Sequence, residues 1–213
     1  MDAASSAQDE TIALLLSMGA SPDKTDDDGH TALIFAIQSK CETTINLLAP
    51  VTQVNLGLAL RGLARDKIEV VTGELRQLVE RAAQDREAAI EGLWAAAKFG
   101  SSLMIEMIAQ YTKDHSIFEA KKVDIWMEAV KSDSKATVSA LLPLLPNPPL
   151  EAITLARERG VPGVVRLLLP DTKVEGEEER EALRDAVLAN TAELLDQMPR
   201  DVEFTYKDKM DKL

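Results

Sequence analysis

The sequence predicts an all-α solenoid of about six helix pairs. Three features carry that expectation. A motif led by alanine recurs along the chain, both halves of each recurrence show the ~3.6-residue apolar spacing of amphipathic helices, and the composition suits helix-on-helix packing. Of 213 residues, 46% are hydrophobic but only 4% aromatic, so the core is built from Leu, Ile, Val and Ala rather than from the large rings of many barrels and sandwiches.

The recurrence is plainest in AIQSKCETTINLL (36–48), AAKFGSSLMIEMI (96–108) and AVKSDSKATVSAL (129–141). ARERGVPGVVRLL (156–168) follows the same pattern and AVLANTAELLDQM (186–198) a weaker form of it. An apolar residue stands three positions before each opening alanine: Leu33, Leu93, Trp126, Ile153 and Leu183. The steps from Ala96 to Ala129, Ala156 and Ala186 are 33, 27 and 30 residues. Each unit therefore reads as a short helix, a tight turn and a second amphipathic helix. One such pair cannot bury both its faces, whereas stacked pairs bury a continuous stripe, and this favours a solenoid. Alanine at the shared position lets neighbouring helices approach closely.

Asp26-Asp27-Asp28-Gly29-His30-Thr31-Ala32-Leu33 resembles the ankyrin-repeat opening D-x-x-G-x-T-P-L, with Ala32 at the proline position. Upstream, Leu14-Leu15-Leu16-Ser17-Met18-Gly19-Ala20-Ser21-Pro22-Asp23 is similar to that family's closing L-L-L-x-x-G-A-x-x-N/D. The resemblance is strong over 9–55 and looser to 199, where the helix pattern persists but the Gly-Ala and T-P-L-H signatures fade. The family's motif histidine is replaced by Ile34, Trp94 and Arg184, so the hydrogen bonds it supplies to the loops must come from elsewhere. The resemblance implies an ankyrin-type solenoid over 1–199, with an N-terminal half-repeat at 1–25 and a tail at 200–213.

Between Ala36 and Ala96 lie 60 residues, room for one further unit. Alanine spacing opens it at Ala59, while Lys67-Ile68-Glu69-Val70-Val71 resembles a second-helix opening in conflict with that, so the register of 56–86 is open. Glu74–Arg86 reads as a lengthened second helix. At the N-terminus the same offset reaches Ala3, so the chain begins inside a first helix. Pro143, Pro146, Pro148 and Pro149 end one helix and stiffen the following turn. Trp126 holds an inward Leu position, and Trp94 packs under a loop or serves as a binding anchor.

Charge and motif content narrow the function. Twenty-four Lys and Arg against 36 Asp and Glu leave a net charge of −12, which disfavours nucleic acid and anionic membrane as partners. The single cysteine excludes an internal disulfide and fits a reducing compartment, the cytoplasm or nucleus. The start MDAASSAQDE lacks the basic and apolar regions of a signal peptide, and no apolar run has the ~18 residues of a membrane span. GxSxG, GxGxxG and GxxxxGK[ST] are absent, and His30 and His115 have no neighbouring ligands to complete a metal set. Asp26–Gly29 resembles the start of a calcium loop, but Phe35 stands where the bidentate glutamate would be. Cys41 reads as an inert thiol and Glu175–Glu181 as a helix opening. No catalytic, cofactor or metal residue is expected.

The resemblance implies a non-enzymatic scaffold or adaptor that holds a protein or peptide on a concave face, acting as a monomer or within a hetero-complex. Two alternatives stand: a permanently incorporated subunit of a larger assembly, and a regulatory domain of a longer protein. Ankyrin-type contact positions, carried onto this chain, are Gln38, Lys98, Phe99, Lys131, Glu158 and Arg159, with Arg61 or Arg65 according to register, and Asp27, Asp28 and His30 at a hairpin tip. The cations among them suggest an acidic partner with an apolar anchor on Phe99.

Overall fold

A computed structural model of the protein describes residues 1–67 and 73–168. Among them are twelve α-helices, one 3-10 helix and no strand. They form successive antiparallel pairs: α1 (Asp2–Ser5) with α2 (Asp9–Ser17), α3 (Ala32–Ser39) with α4 (Glu42–Leu48), and α5 (Leu56–Asp66) with α6 (Gly73–Gln84). Beyond these come α7 (Arg86–Phe99) with α8 (Ser102–Tyr111), α9 (Lys122–Lys131) with α10 (Lys135–Leu141), and α11 (Leu150–Glu158) with α12 (Pro162–Leu168). The first helix of each pair packs on the first helices before and after it, and the second helices pack likewise on one another, so the array has two layers. The expected solenoid is observed. The weaker unit at 183–198 and the tail at 200–213 lie outside the described residues.

Each turn within a pair contains one residue of left-handed backbone: Ala7, Lys40, Lys67, Gly100, Asp133 and Gly160, spaced 33 or 27 residues apart. This geometry reverses the chain in two or three residues and is accessible to L-residues only at some cost. The turns settle the register of 56–86. Lys67 aligns with Gly100, so Leu63, not Ala59, occupies the position of Ala36 and Ala96. Ala59 lies one helical turn upstream on the same buried face, 1% exposed against 0% for Leu63. Lys67 caps the end of α5, and most of Lys67–Val71 lies outside the described residues. Glu74–Arg86 is not a single lengthened helix either. The second helix ends at Gln84, and Asp85 caps α7 by accepting a hydrogen bond from Ala88 N–H.

The alanine positions are as closely packed as the recurrence requires: Ala36, Ala96, Ala129 and Ala156 are all 0% exposed. The apolar residues three places before them, Leu33, Leu93 and Trp126, are also fully buried, and Ile153 nearly so. Alpha5 carries glycine beside its neighbour in the same layer: a Cβ on Gly62 would lie 2.8 Å from Ile37 Cγ2, closer than such atoms pack.

Other residues replace the loop bracing of the missing motif histidines. Asp26 Oδ1 accepts from the backbone N–H of Asp28 and His30 at 3.0 and 2.7 Å, closing the turn before α3. Asp23 accepts from Gln53 N–H (2.6 Å) and Val54 N–H (3.3 Å), and Asn55 Nδ2 donates to Gly29 O (2.7 Å), tying successive loops together. Arg81 of α6 reaches back to the end of α4 and donates to the carbonyls of Ala49, Pro50 and Thr52.

Among the described pairs, the first buries the fewest side chains, Ala4 and Ile12. Alpha1 spans one turn, and Leu14, Leu15 and Met18 of the second helix and its cap are 59%, 44% and 75% exposed. Units of a linear array draw stability from their neighbours, so an end pair with little buried surface opens most readily. Hydrogen exchange in the full chain is therefore expected to show Ile12–Leu16 exchanging much faster than Leu103–Ile108. Equal protection of the two segments would contradict this account.

Candidate interaction surface

On the open side of the first-helix layer, α7 presents Glu87, Ile90, Glu91, Trp94 and Lys98 in one stripe at helical spacing. Aligned by their turns, α7 begins six residues earlier than α3, at Arg86 rather than at the position of Ala32. Helix thus replaces the loop that precedes α3, and only Asp85 joins α6 to α7. Opposite the added turns, a 3-10 helix (His115–Lys121) leads into α9. Between the two lies an open depression of about 470 Å³, lined by Glu87, Ile90, Glu91 and Trp94 on one side and by Lys121 and Asp124 on the other.

The stripe is electrostatically mixed. Lys98 Nζ lies 4.6 Å from the centre of the Trp94 ring and 5.9 Å from that of Phe99, within cation–π range. Glu91 is half-buried beside α5, where a Cβ on Gly57 would run into its carboxylate. Burial pushes the Glu91 carboxyl above the usual carboxylate range, and the Arg61 guanidinium pulls it part of the way back. Lys121 pairs with Asp124 at 3.3 Å.

The structure places the residues singled out in the sequence as follows. Gln38, Lys98, Lys131, Glu158 and Arg159 are exposed at or near the ends of α3, α7, α9 and α11. Turn alignment puts Arg65, not Arg61, at the position of Lys98 and Lys131; Arg61 is exposed one turn upstream, at the position of Trp94. Two cations of the row are compensated by the chain's own acids, while Arg61, Lys98 and Arg159 make no ion pair among the described residues. Lys131 bonds Glu128 at 2.7 Å, and Asp66 takes Arg65 at 2.8 Å and Lys40 at 3.9 Å. Phe99 was expected to stand free, but it packs half-buried against the core. Trp94 and Ile90 are likewise half-buried against the core, but unlike Phe99 they line the depression, and their four-residue spacing sets them on one face of α7.

Asp27 and Asp28 are exposed at the turn before α3, and His30 is half-buried there. His30 Nδ1 is 3.4 Å from Asp26 Oδ2, and its ring meets Phe35 edge-on at 5.8 Å. Asp26, Asp28 and His30 place ligand atoms within 4.8 Å of one another, but Asp26 Oδ1 is committed to the loop's backbone. The His30 N–H, foremost, holds the Asp26 carboxyl below the usual range. This cluster shapes the loop. Trp126 is fully buried, as its position predicts.

Stacked helix pairs with a continuous, chemically varied surface along one layer define a helical-repeat protein. The family model for ankyrin repeats (many copies) matches residues 1–40, and the helical-repeat solenoid formed by the described residues fits that likeness. Ankyrin repeats are in general protein–protein interaction modules. No curated protein and no solved structure matches the chain. No described helix is long and apolar enough to cross a membrane.

Proposed function

We propose that the chain is a non-catalytic interaction module, a scaffold or adaptor that holds a protein or peptide partner along the open side of its first-helix layer. The observation that carries this reading is the Trp94 depression, where an indole and Ile90 meet solvent among charged groups at the centre of the array. Half-exposed aromatic residues with a polar rim are the usual anchors of protein interfaces. In this reading Gln38, Arg61, Lys98, Lys131, Glu158 and Arg159, at or near the ends of successive first helices, extend the contact along the layer to either side of the depression, with Asp27, Asp28 and His30 toward its N-terminal end. Lys131 and Arg65 are paired within the chain, which leaves Arg61, Lys98 and Arg159 as the cations of the row that a partner meets.

The test is capture of native partners by wild-type protein and by the double variant Trp94→Ala, Lys98→Glu. The variant is expected to lose the partner proteins recovered with wild type while keeping its helical circular-dichroism spectrum; because Trp94 packs partly on the core, its thermal midpoint should fall by about 2–8 °C without loss of the fold at assay temperature. Recovery of the same proteins at the same yield would place the partner on another surface.

A further inference from the structure

We infer that the Trp94 depression receives a basic side chain, a lysine or arginine of the partner, with its aliphatic stem on Trp94 and Ile90 and its cationic head among Glu87, Glu91 and Asp124. This rests on the first-helix layer being the binding surface, and it gives that surface a ligand chemistry opposite to the acidic one suggested by the cation row.

The charge of the lining carries the inference. The lining itself sets three carboxylates, Glu87, Glu91 and Asp124, against the one ammonium of Lys121, which already serves Asp124, while Arg61 acts on Glu91 from farther off and Lys98 rests over the Trp94 ring. Glu87 makes no hydrogen bond or ion pair among the described residues, and Glu91 has only the longer-range field of Arg61. A carboxylate half-removed from water without a direct counter-ion is where an incoming cation gains most. An incoming glutamate or aspartate would instead meet three like charges.

The floor suits the rest of the same side chain. Lysine and arginine lay their methylenes along apolar surface while keeping the head polar, and Ile90 with the Trp94 ring supplies such a surface below the carboxylates. The chain shows the chemistry on itself: Lys98, one turn on, rests its own ammonium over the Trp94 ring. Lys98 does not line the depression, so the space toward Asp124 is left for another cation.

The experiment uses the full chain and two probes, a short amphipathic helix of leucine and lysine and its leucine/glutamate counterpart of identical spacing. Binding is followed by the indole N–H signal of Trp94 in NMR spectra, with the fully buried Trp126 as internal reference. The leucine/lysine probe is expected to shift the Trp94 signal saturably and to bind at least tenfold more tightly than its counterpart. Glu87→Gln with Glu91→Gln should weaken it tenfold or more. Glu74→Gln with Glu80→Gln, an equal charge loss on exposed positions of α6, should change it less than twofold. Equal weakening by both pairs would reveal only the long-range field of an acidic protein and overturn the inference, as would equal binding of the two probes or an unmoved Trp94 signal. If native capture still depends on Trp94 while the Glu87/Glu91 pair has no effect, the binding surface stands and the basic occupant falls.

Discussion

Replacing Ala96 or Ala129 by leucine is expected to destabilise the protein by about 1–3 kcal/mol each, through overpacking between stacked first helices. Both positions are 0% exposed and lie where α7 meets α5 and α9, and where α9 meets α7 and α11. Nearby spacing leaves no slack: a Cβ on Gly92, one turn before Ala96, would come within 3.0 Å of Leu60 Cβ and 3.1 Å of Ile108 Cδ1. Three added carbons must therefore push the helices apart or force strained rotamers. For a chain of this size the thermal midpoint should fall by about 2–4 °C for each kcal/mol. Serine at either site, close to alanine in volume, should cost much less than leucine. Unchanged midpoints in both leucine variants would show that these alanines are not at the packed interface.

A comparable loss, about 2–4 kcal/mol, is expected for Arg81→Met, because it leaves carbonyls at the end of α4 without their charged donor. Ala49 and Thr52, whose carbonyls the guanidinium binds, are both 0% exposed, so water cannot readily take its place. Methionine preserves most of the stem's packing and isolates the lost hydrogen bonds. Arg81→Lys should recover only a minor part of the stability, since one ammonium cannot reproduce a planar fork that spans carbonyls from Ala49 to Thr52. Full recovery by lysine in denaturant unfolding would mean that charge alone, not the shape of the donor, holds this loop.

Helix pairing was legible in the sequence because alanine and the apolar residue three places before it report burial directly. Leu33, Ala36, Leu93, Ala96, Trp126 and Ala129 all lie in the core. The one unit whose register could not be read has leucine, Leu63, where the others have alanine. A helix brings residues four apart to the same face, so Ala59 satisfied the alanine pattern one turn early. The choice between Arg61 and Arg65 needed the left-handed turn at Lys67, and lysine gives no signal of that conformation in a sequence.

The surface was less legible than the core. That Lys98 and Lys131 share a layer follows from spacing, but only Lys131 reaches an acid, Glu128, while Lys98 rests over the Trp94 ring. The pairing of Lys131 with Glu128 was readable as a three-residue helical spacing. The Trp94 depression was not. It exists because α7 starts six residues early, and that start depends on Asp85 capping a new helix inside Glu74–Arg86, a stretch that reads in sequence as one lengthened helix. Arg81 was equally hidden, since its carbonyl partners lie some thirty residues away.

The single-residue joint at Asp85 also bears on how the array assembles and how it yields under load. It ties α6 to α7 with almost no chain to close, and α7, the longest helix described, touches α5, α6, α8, α9 and the 3-10 helix. Short loops cost least to close, and each unit of a linear array gains stability from its neighbours. The α6–α7 joint and the pairs around it are therefore expected to be the most cooperative part of the described array, to be checked by hydrogen exchange. Under load, the first pair is expected to yield well before the block around α7, so a partner seated at Trp94 would sit on the more resistant part of the described array.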